Sequence, residues 1–353
     1  MRLLKIIICL SLFFLSCTQK PKTVPEQIPV KSNEVLLPLL PSADSLSFTS
    51  GIRSILQDSK GNYWLGSHRE GVCMFDGKTF RYFTVNEGLP NNQVRSIQED
   101  KNGYIWVGTA SGVASYDGTM LVNHTVGESD SSPKEDSAFL WFNAGHRPGV
   151  HRASGKFLHY LPFPLPLFAD PTYNYGVTSI AKDRTGTVWI ATYTALFVFD
   201  GKEMRYFAEI EPTLNQDDRL HIRSIFADSQ GRVWIGNNGI GVLMLQNNII
   251  VNFSRINGLL HPDSNKNGSL SPPGTLEHVF AITEDAKGNI WFGDRDTGAW
   301  KYNGTNLTNY TVDADLSTPM IWCIYEDKEK NLLFGMADGG VYRFEEEGFK
   351  RMF

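Results

Sequence analysis

Val94-Arg95-Ser96-Ile97-Gln98-Glu99-Asp100-Lys101-Asn102-Gly103-Tyr104-Ile105-Trp106-Val107-Gly108-Thr109 is the stretch that decides the fold. Residues 94–97 read as a short β-branched strand. Asp100 to Gly103 reads as a turn, with Asp favoured at its first place and Gly at its fourth. Residues 104–109 are almost wholly apolar, the mark of a strand buried on both faces. The frame Ile-x-x-Asp-x-x-Gly-x-x-Trp-x-Gly recurs along the chain. It occurs at Ile55/Asp58/Gly61/Trp64/Gly66, at Ile225/Asp228/Gly231/Trp234/Gly236 and at Ile282/Asp285/Gly288/Trp291/Gly293. A fifth full-length copy, Ile180/Asp183/Gly186/Trp189, carries Ala191 in the last place. Two copies are worn: Ile324/Asp327/Lys330/Leu333/Gly335, and Ser132/Glu135/Ala138/Trp141/Asn143.

Seven copies at spacings of 42, 35, 48, 45, 57 and 42 residues are the signature of a repeat architecture. Each copy continues with a third strand such as residues 113–116, a hairpin-type turn such as Asp117-Gly118, and a fourth strand. Four short antiparallel strands per repeat make one propeller blade. One blade cannot bury its faces alone, so the motif Trp is expected to pack against the next blade. The expectation is an all-β, seven-bladed β-propeller of four-stranded antiparallel blades over residues 47–353. An open solenoid would need polar capping repeats, and neither end supplies one. Either residues 349–353 or the segment 46–49 provides the last blade's outer strand.

Composition agrees with one packed ring. The 353 residues are 41% apolar and 12% aromatic, with a formal charge of −5, too apolar for a disordered chain. The acidic balance excludes a protein that grips nucleic acid by its phosphates. Six of the eight Trp residues occupy the motif place; only Trp300 and Trp322 fall outside it.

The first residues belong to targeting. Arg2 and Lys5 precede an apolar run over residues 6–15, too short to span a bilayer. The run ends Phe14-Leu15-Ser16-Cys17, similar to a bacterial lipobox in which the Cys receives the lipid, although Phe14 stands where an aliphatic residue is usual. Residues 1–16 are therefore expected to be a lipoprotein signal peptide, and residues 17–46 a lipidated Cys17 with a proline-bearing tether. An ordinary signal peptide is the alternative. The predicted place is the cell envelope, periplasmic or surface-facing, with a lipid anchor as the membrane contact. Cys73 and Cys323 remain, either as two buried thiols or as a bridge between the first and last blades.

Residues 94–109, with Glu87-Gly88-Leu89-Pro90-Asn91-Asn92 ahead of them, resemble the two-component regulator propeller repeat. That family's propellers form periplasmic sensor regions of bacterial hybrid histidine kinases, often those responding to glycans. The resemblance covers the propeller residues. No kinase, transmembrane or DNA-binding region follows in this sequence, which sets the expectation of a stand-alone lipoprotein. It implies the fold and an envelope ligand.

In a propeller the loops joining second and third strands share a face with the links between blades, and loops on a rigid scaffold are the usual binding sites. These loops differ among blades while the framework is uniform. They nominate His68, Arg69, Asn92, Gln93, His146, Arg147, Tyr193, His221, Asn237, Asn238, His278, Arg295 and Asp338 as a ligand-binding face. The plain alternative is that loops are polar because they are wet. Arg53, Arg95 and Arg223 occupy one place in the first strand, with Thr178, Phe280 and Trp322 at the equivalents. They either ring the channel and hold an anion or pair with acids of the blades. The run Asp263-Ser264-Asn265-Lys266-Asn267-Gly268 is the opening half of a calcium loop, with Asp263, Asn265 and Asn267 as oxygen ligands. Gly274 stands where the twelfth-position acid belongs, so calcium is a weak candidate and no other cofactor is expected.

The preferred function is a non-catalytic envelope propeller, sensor or scaffold, that binds a glycan, peptide or protein partner on the loop face. The alternative is a lyase or hydrolase at the channel mouth. Streptogramin lyases are seven-bladed propellers with catalytic His and Glu around the channel. This sequence has no His-x-His or His-Glu-x-x-His spacing, phosphate loop or nucleophile elbow, and no catalytic residue is nominated.

Overall fold

A computed structural model describes residues 35–36, 42–125, 139–154, 157–165, 174–215, 218–262 and 270–353. Their strands form seven separate antiparallel sheets, in which the strands of each blade follow chain order from the inner strand outward. Blade one is Ile52–Gln57, Tyr63–Ser67, Val72–Phe75 and Phe80–Phe83; blade two is Val94–Glu99, Ile105–Thr109, Val113–Tyr116 and Met120–Asn123. Blade three shows Leu140–Asn143, Gly149–Ser154 and Phe157–Pro162, while residues 126–138 ahead of them lie outside the described ones. Blades four, five and six begin at Val177–Lys182, Ile222–Ala227 and Val279–Glu284, and blade seven at Ile321–Glu326. No helix among the described residues is long and apolar enough to cross a membrane.

The repeated motif is explained atom by atom. The motif Asp caps its turn: Oδ1 of Asp100 accepts the backbone N–H groups of Asn102 and Tyr104 at 2.8 and 3.0 Å. Its Oδ2 accepts the indole Nε1–H of Trp106 at 3.0 Å. The same Asp–indole bond joins Asp58 to Trp64, Asp183 to Trp189, Asp228 to Trp234 and Asp285 to Trp291, at 2.7–3.1 Å. Each satisfies a donor in a dry interior, a net contribution on the order of 1 kcal/mol. The turn Gly adopts positive φ, 80° at Gly103, where a side chain is strained; Lys330 takes φ 68° in the worn seventh copy.

The indoles lie against the following blade, as the repeat implies. Trp64 packs with Val94, Ile97 and Val107; Trp234 packs with Val279, Ile282 and Phe292. The last motif Gly allows that approach, since a Cβ on Gly66 would meet Val94 Cγ1 at 2.5 Å. Serines of the inner strands add bonds between blades: Ser54 Oγ accepts from Ile97 N at 3.1 Å, and Ser179 Oγ from Ile225 N at 3.2 Å.

Blade seven completes its own sheet, with Gly348–Arg351 as its outer strand, and residues 46–49 form no strand. The ring therefore closes through side chains rather than by strand exchange. Leu333 and Val341 pack with Ile52, Ile55 and Leu65. Tyr63 Oη donates to Asp327 at 2.8 Å, and Gln57 Nε2 to Glu329 at 2.9 Å. Phe353 sits edge-on to Phe75 and Phe80. Two short segments of the stretch read as tether add outer strands: Ser42–Ala43 pairs with blade one, and Val35–Leu36 with blade two. Cys73 and Cys323 are free thiols, both pushed up to about 12 by burial.

Candidate functional site

Pairing between the first two strands slips at one place in six blades. The slips fall between Ile52 and Ser54, Val94 and Ser96, Val177 and Ser179, Ile222 and Ser224, Val279 and Ala281, and Ile321 and Cys323. The residue left out of register is Arg53, Arg95, Thr178, Arg223, Phe280 or Trp322. A bulge kinks its strand and re-aims the extra side chain. All six line the central channel, whose cavity measures about 600 Å³.

The three arginines have no carboxylate partner among the described residues, so the channel is not the set of internal ion pairs that was the alternative. Aromatic rings hold them instead. The Arg53 guanidinium carbon stands 4.7 Å from the centre of Trp322. That of Arg223 lies 5.0 Å from Tyr193 and 4.7 Å from Phe280. Arg95 donates to Gln93 Oε1 at 2.7 Å. Burial, with the charges of Arg95 and Arg223, brings Arg53 down to about 9, so it stays cationic at neutral pH. Burial also lowers Arg223. Tyr193 is raised by burial, but the charges of Arg223, Arg95 and Arg53 prevail and its phenol titrates below its usual range.

Two of the nominated histidines, His68 and His221, flank this cluster, and His278 lies buried beside Asn238. His68 Nδ1 lies 3.2 Å from Arg53 Nη1 and 3.4 Å from Gln93 Nε2. A guanidinium offers no acceptor, so Nδ1 must accept and the ring is neutral. The ring stacks on Trp322 at 5.3 Å. His221 is 5.5 Å from Tyr193 and 3.2 Å from Asn238 Nδ2. His278 bridges to Asn238 through the backbone. Burial first, then neighbouring arginines, push all three histidines down to about 4. Neutral imidazoles and the Tyr193 phenol, which hydrogen-bonds Arg95 and Arg223, thus stand beside three cations.

His68, Gln93 and Tyr193 touch the channel arginines, His221 with Asn238 against it stands beside Tyr193, and His278 is buried against Asn238, Asp294 and Asp296; the other nominated residues are disposed differently. Asn92 Oδ1 accepts from Val85 N, Asp338 Oδ1 accepts from Gly340 N, and Asn237 is fully buried. These three hold loops. Arg69 is exposed, with its backbone N–H on Ser50. His146 and Arg147 are exposed on blade three, where Arg147 covers Tyr160. Arg295 grips Asp296 at 2.6 Å. Glu277 clamps the insertion after blade five: its carboxylate accepts from His261 N at 2.5 Å and Ser271 Oγ at 2.6 Å. The calcium candidates Asp263, Asn265 and Asn267 lie outside the described residues. Asp294, wholly buried, accepts His278 N–H at 2.9 Å and is pushed up by burial to about 6.

The residues that loop reasoning left off the face are Trp322 and Phe280, with the arginines they stack on. The available signal was their shared place in the repeat, two residues before the motif Ile.

Four segments, residues 46–69, 88–111, 174–194 and 218–239, match a family model described as two component regulator propeller. No curated protein matches the chain. Among solved structures, it resembles the extracellular domain of BT3049 from B. thetaiotaomicron, described as a hybrid two component system. Identity there is 20% and the TM-score 0.58, over 86% of this chain and 40% of that one. The chain thus spans about 40% of that structure's length. The WD40 β-propeller domain of Doa1 aligns at 11% identity and TM-score 0.57, over 87% and 96% of the two chains. A catalytically inactive virginiamycin B lyase from Staphylococcus aureus with Quinupristin aligns at 13% and 0.50, over 88% and 87%. At these identities the likeness is one of fold.

Proposed function

We propose, from the premise that the chain carries the repeats of the two component regulator propeller family, that it is an extracytoplasmic binding propeller that takes a ligand at the channel mouth without transforming it. One observation carries this reading. Six blades re-aim the same bulged position into one channel, and five of the six residues put there, all but Thr178, are arginines or large aromatics. Rigid strands place the bulged groups, and variable loops supply His68, Gln93, Tyr193 and His221 beside them, the arrangement expected of a small-molecule site. The ligand is a glycan fragment or a peptide segment narrow enough to enter the mouth, or a partner that inserts one.

The extracytoplasmic placement is supported by the apolar run over residues 6–15 ending at Cys17 and by the extracellular domain among the structural neighbours. We assign Cys17 as the lipid-bearing residue and the membrane as the protein's anchor.

A thermal-shift screen of the protein against oligosaccharides and short peptides tests the binding reading. A ligand that binds only the native state raises the unfolding temperature. A substitution at His68 or Tyr193 should abolish that rise. A hit whose shift survives these substitutions would place its site elsewhere and sink the reading. Metabolic labelling with palmitate tests the anchor: label should be incorporated and be lost in Cys17→Ser, and an unlabelled wild-type chain would refute it.

A further inference from the structure

We propose that the channel mouth binds a small ligand through an oxyanion, a carboxylate or sulfate, held between Arg53, Arg95 and Arg223. The inference rests on the channel-mouth reading above and names the chemistry of its ligand.

Three half-buried guanidiniums share one cavity, and none has a carboxylate among the described residues. Unpaired cations taken from water are costly, and proteins ordinarily pair them. Here the compensation is by stacking and by the Tyr193 hydroxyl, a neutral group that hydrogen-bonds Arg95 and Arg223. Trp322 takes the Arg53 guanidinium, and Tyr193 and Phe280 take that of Arg223. Stacking uses the face of a guanidinium and leaves the donors in its plane available, and those donors match two oxygens side by side. Arg223 Nε is in fact buried with no hydrogen-bond partner. A buried N–H of this kind calls for an acceptor that the chain does not provide.

The cluster is also held in place before any ligand arrives. Gln93 accepts from Arg95 and faces His68, which accepts from Arg53 and stacks on Trp322. Arginines of blades one and two are thus tied into one network, and the ordering cost at binding is reduced. The nearby imidazoles are neutral, so they neither repel a cationic network nor compete for the anion. A cavity of about 600 Å³ suits a ligand of one to two sugar rings or similar bulk, not a folded domain.

The test titrates the full chain calorimetrically with D-galacturonate, with galactose and with inorganic sulfate at low ionic strength. Galacturonate should bind and galactose should bind at least tenfold more weakly. Sulfate should compete with galacturonate, and the affinity should fall as sodium chloride is raised. Arg95→Gln and Arg223→Gln should each weaken galacturonate by about tenfold or more, the size of a lost charge-assisted bond. Competition by sulfate alone would mean a free oxyanion site, and preference for galacturonate over sulfate a ligand that also uses its ring. Both support the inference. Equal binding of galactose and galacturonate, unmoved by Arg95→Gln, would overturn it while leaving a binding site at the mouth intact. Failure of both galacturonate and sulfate to bind would overturn the oxyanion inference, while the channel-mouth reading would fall only if the oligosaccharide and peptide screen were flat as well. The comparison of probes on the unmodified chain decides the matter even if a variant does not fold.

Discussion

The guanidinium of Arg53 lies 4.7 Å from the ring centre of Trp322, across the seam where the last blade meets the first. The contact joins two functions of one place: it closes the ring and orients a channel cation. Gly51 makes room for the indole, since a Cβ there would meet the Trp322 ring at 2.5 Å. Gly51→Ala should therefore displace Trp322, free Arg53 and lower the unfolding free energy by about 1–3 kcal/mol, the range for overpacking. Urea titration and Trp fluorescence check it; an unchanged midpoint and spectrum would refute the seam contact.

The motif bond is separable from the motif ring. Trp291→Phe keeps a buried aromatic and loses only the bond to Asp285, and should cost about 1 kcal/mol. Trp291→Ala empties a site against Phe334 and Phe344 and should cost about 3–5 kcal/mol. Chemical denaturation of the two variants gives both values. Equal losses would mean that the indole N–H, not the ring, dominates.

Acid should destabilise this protein in a defined window. His68, His221 and His278 titrate at about 4 in the fold and near 6.5 unfolded. Between those values the unfolded chain takes up protons that the native state refuses, so stability is full above pH 6.5 and falls as pH drops toward 4. Asp294, raised to about 6 by burial, acts in the opposite sense: its contribution is full below the ordinary carboxylate value and is lost as pH rises through 6. Three groups outweigh one, so the unfolding midpoint should fall steadily between pH 6.5 and 4.5. His221→Gln should flatten that slope, and a midpoint that rises on acidification would contradict the neutral histidines.

Tyr193 reports the field of the channel. Its phenol is lowered because three guanidinium charges outweigh burial. Tyr193→Phe should remove the earliest-titrating component from the ultraviolet phenolate curve. Arg223→Gln, which deletes the largest lowering charge, should move that component upward. A bound oxyanion should do the same, because it neutralises those charges. A Tyr193 component that ignores both changes would show that no cationic field acts there.

What was legible in the sequence was what is local and repeated. Asp100, Gly103 and Trp106 lie within seven residues of one another, and the turn, its cap and the indole bond form inside that segment, so the spacing alone carries them. Repetition then dictated a ring, because a blade with an indole on one face needs a neighbour. The loop histidines were reachable from topology: His68 touches Arg53 and Trp322, and His221 stands against Tyr193, while His278 is buried. The partners of the arginines were not reachable. Arg53 and Trp322 are separated by nearly the whole propeller, and only closure brings them together. An arginine beside an acid and one beside an indole look alike in a strand of sequence. The bulge was hidden too, because it is a register slip between paired strands and not a property of either. The sequence by itself determined the repeat, the blade and the ring. The tertiary structure decided that the channel holds stacked, unpaired cations, since that depends on which side chains from distant blades share one axis.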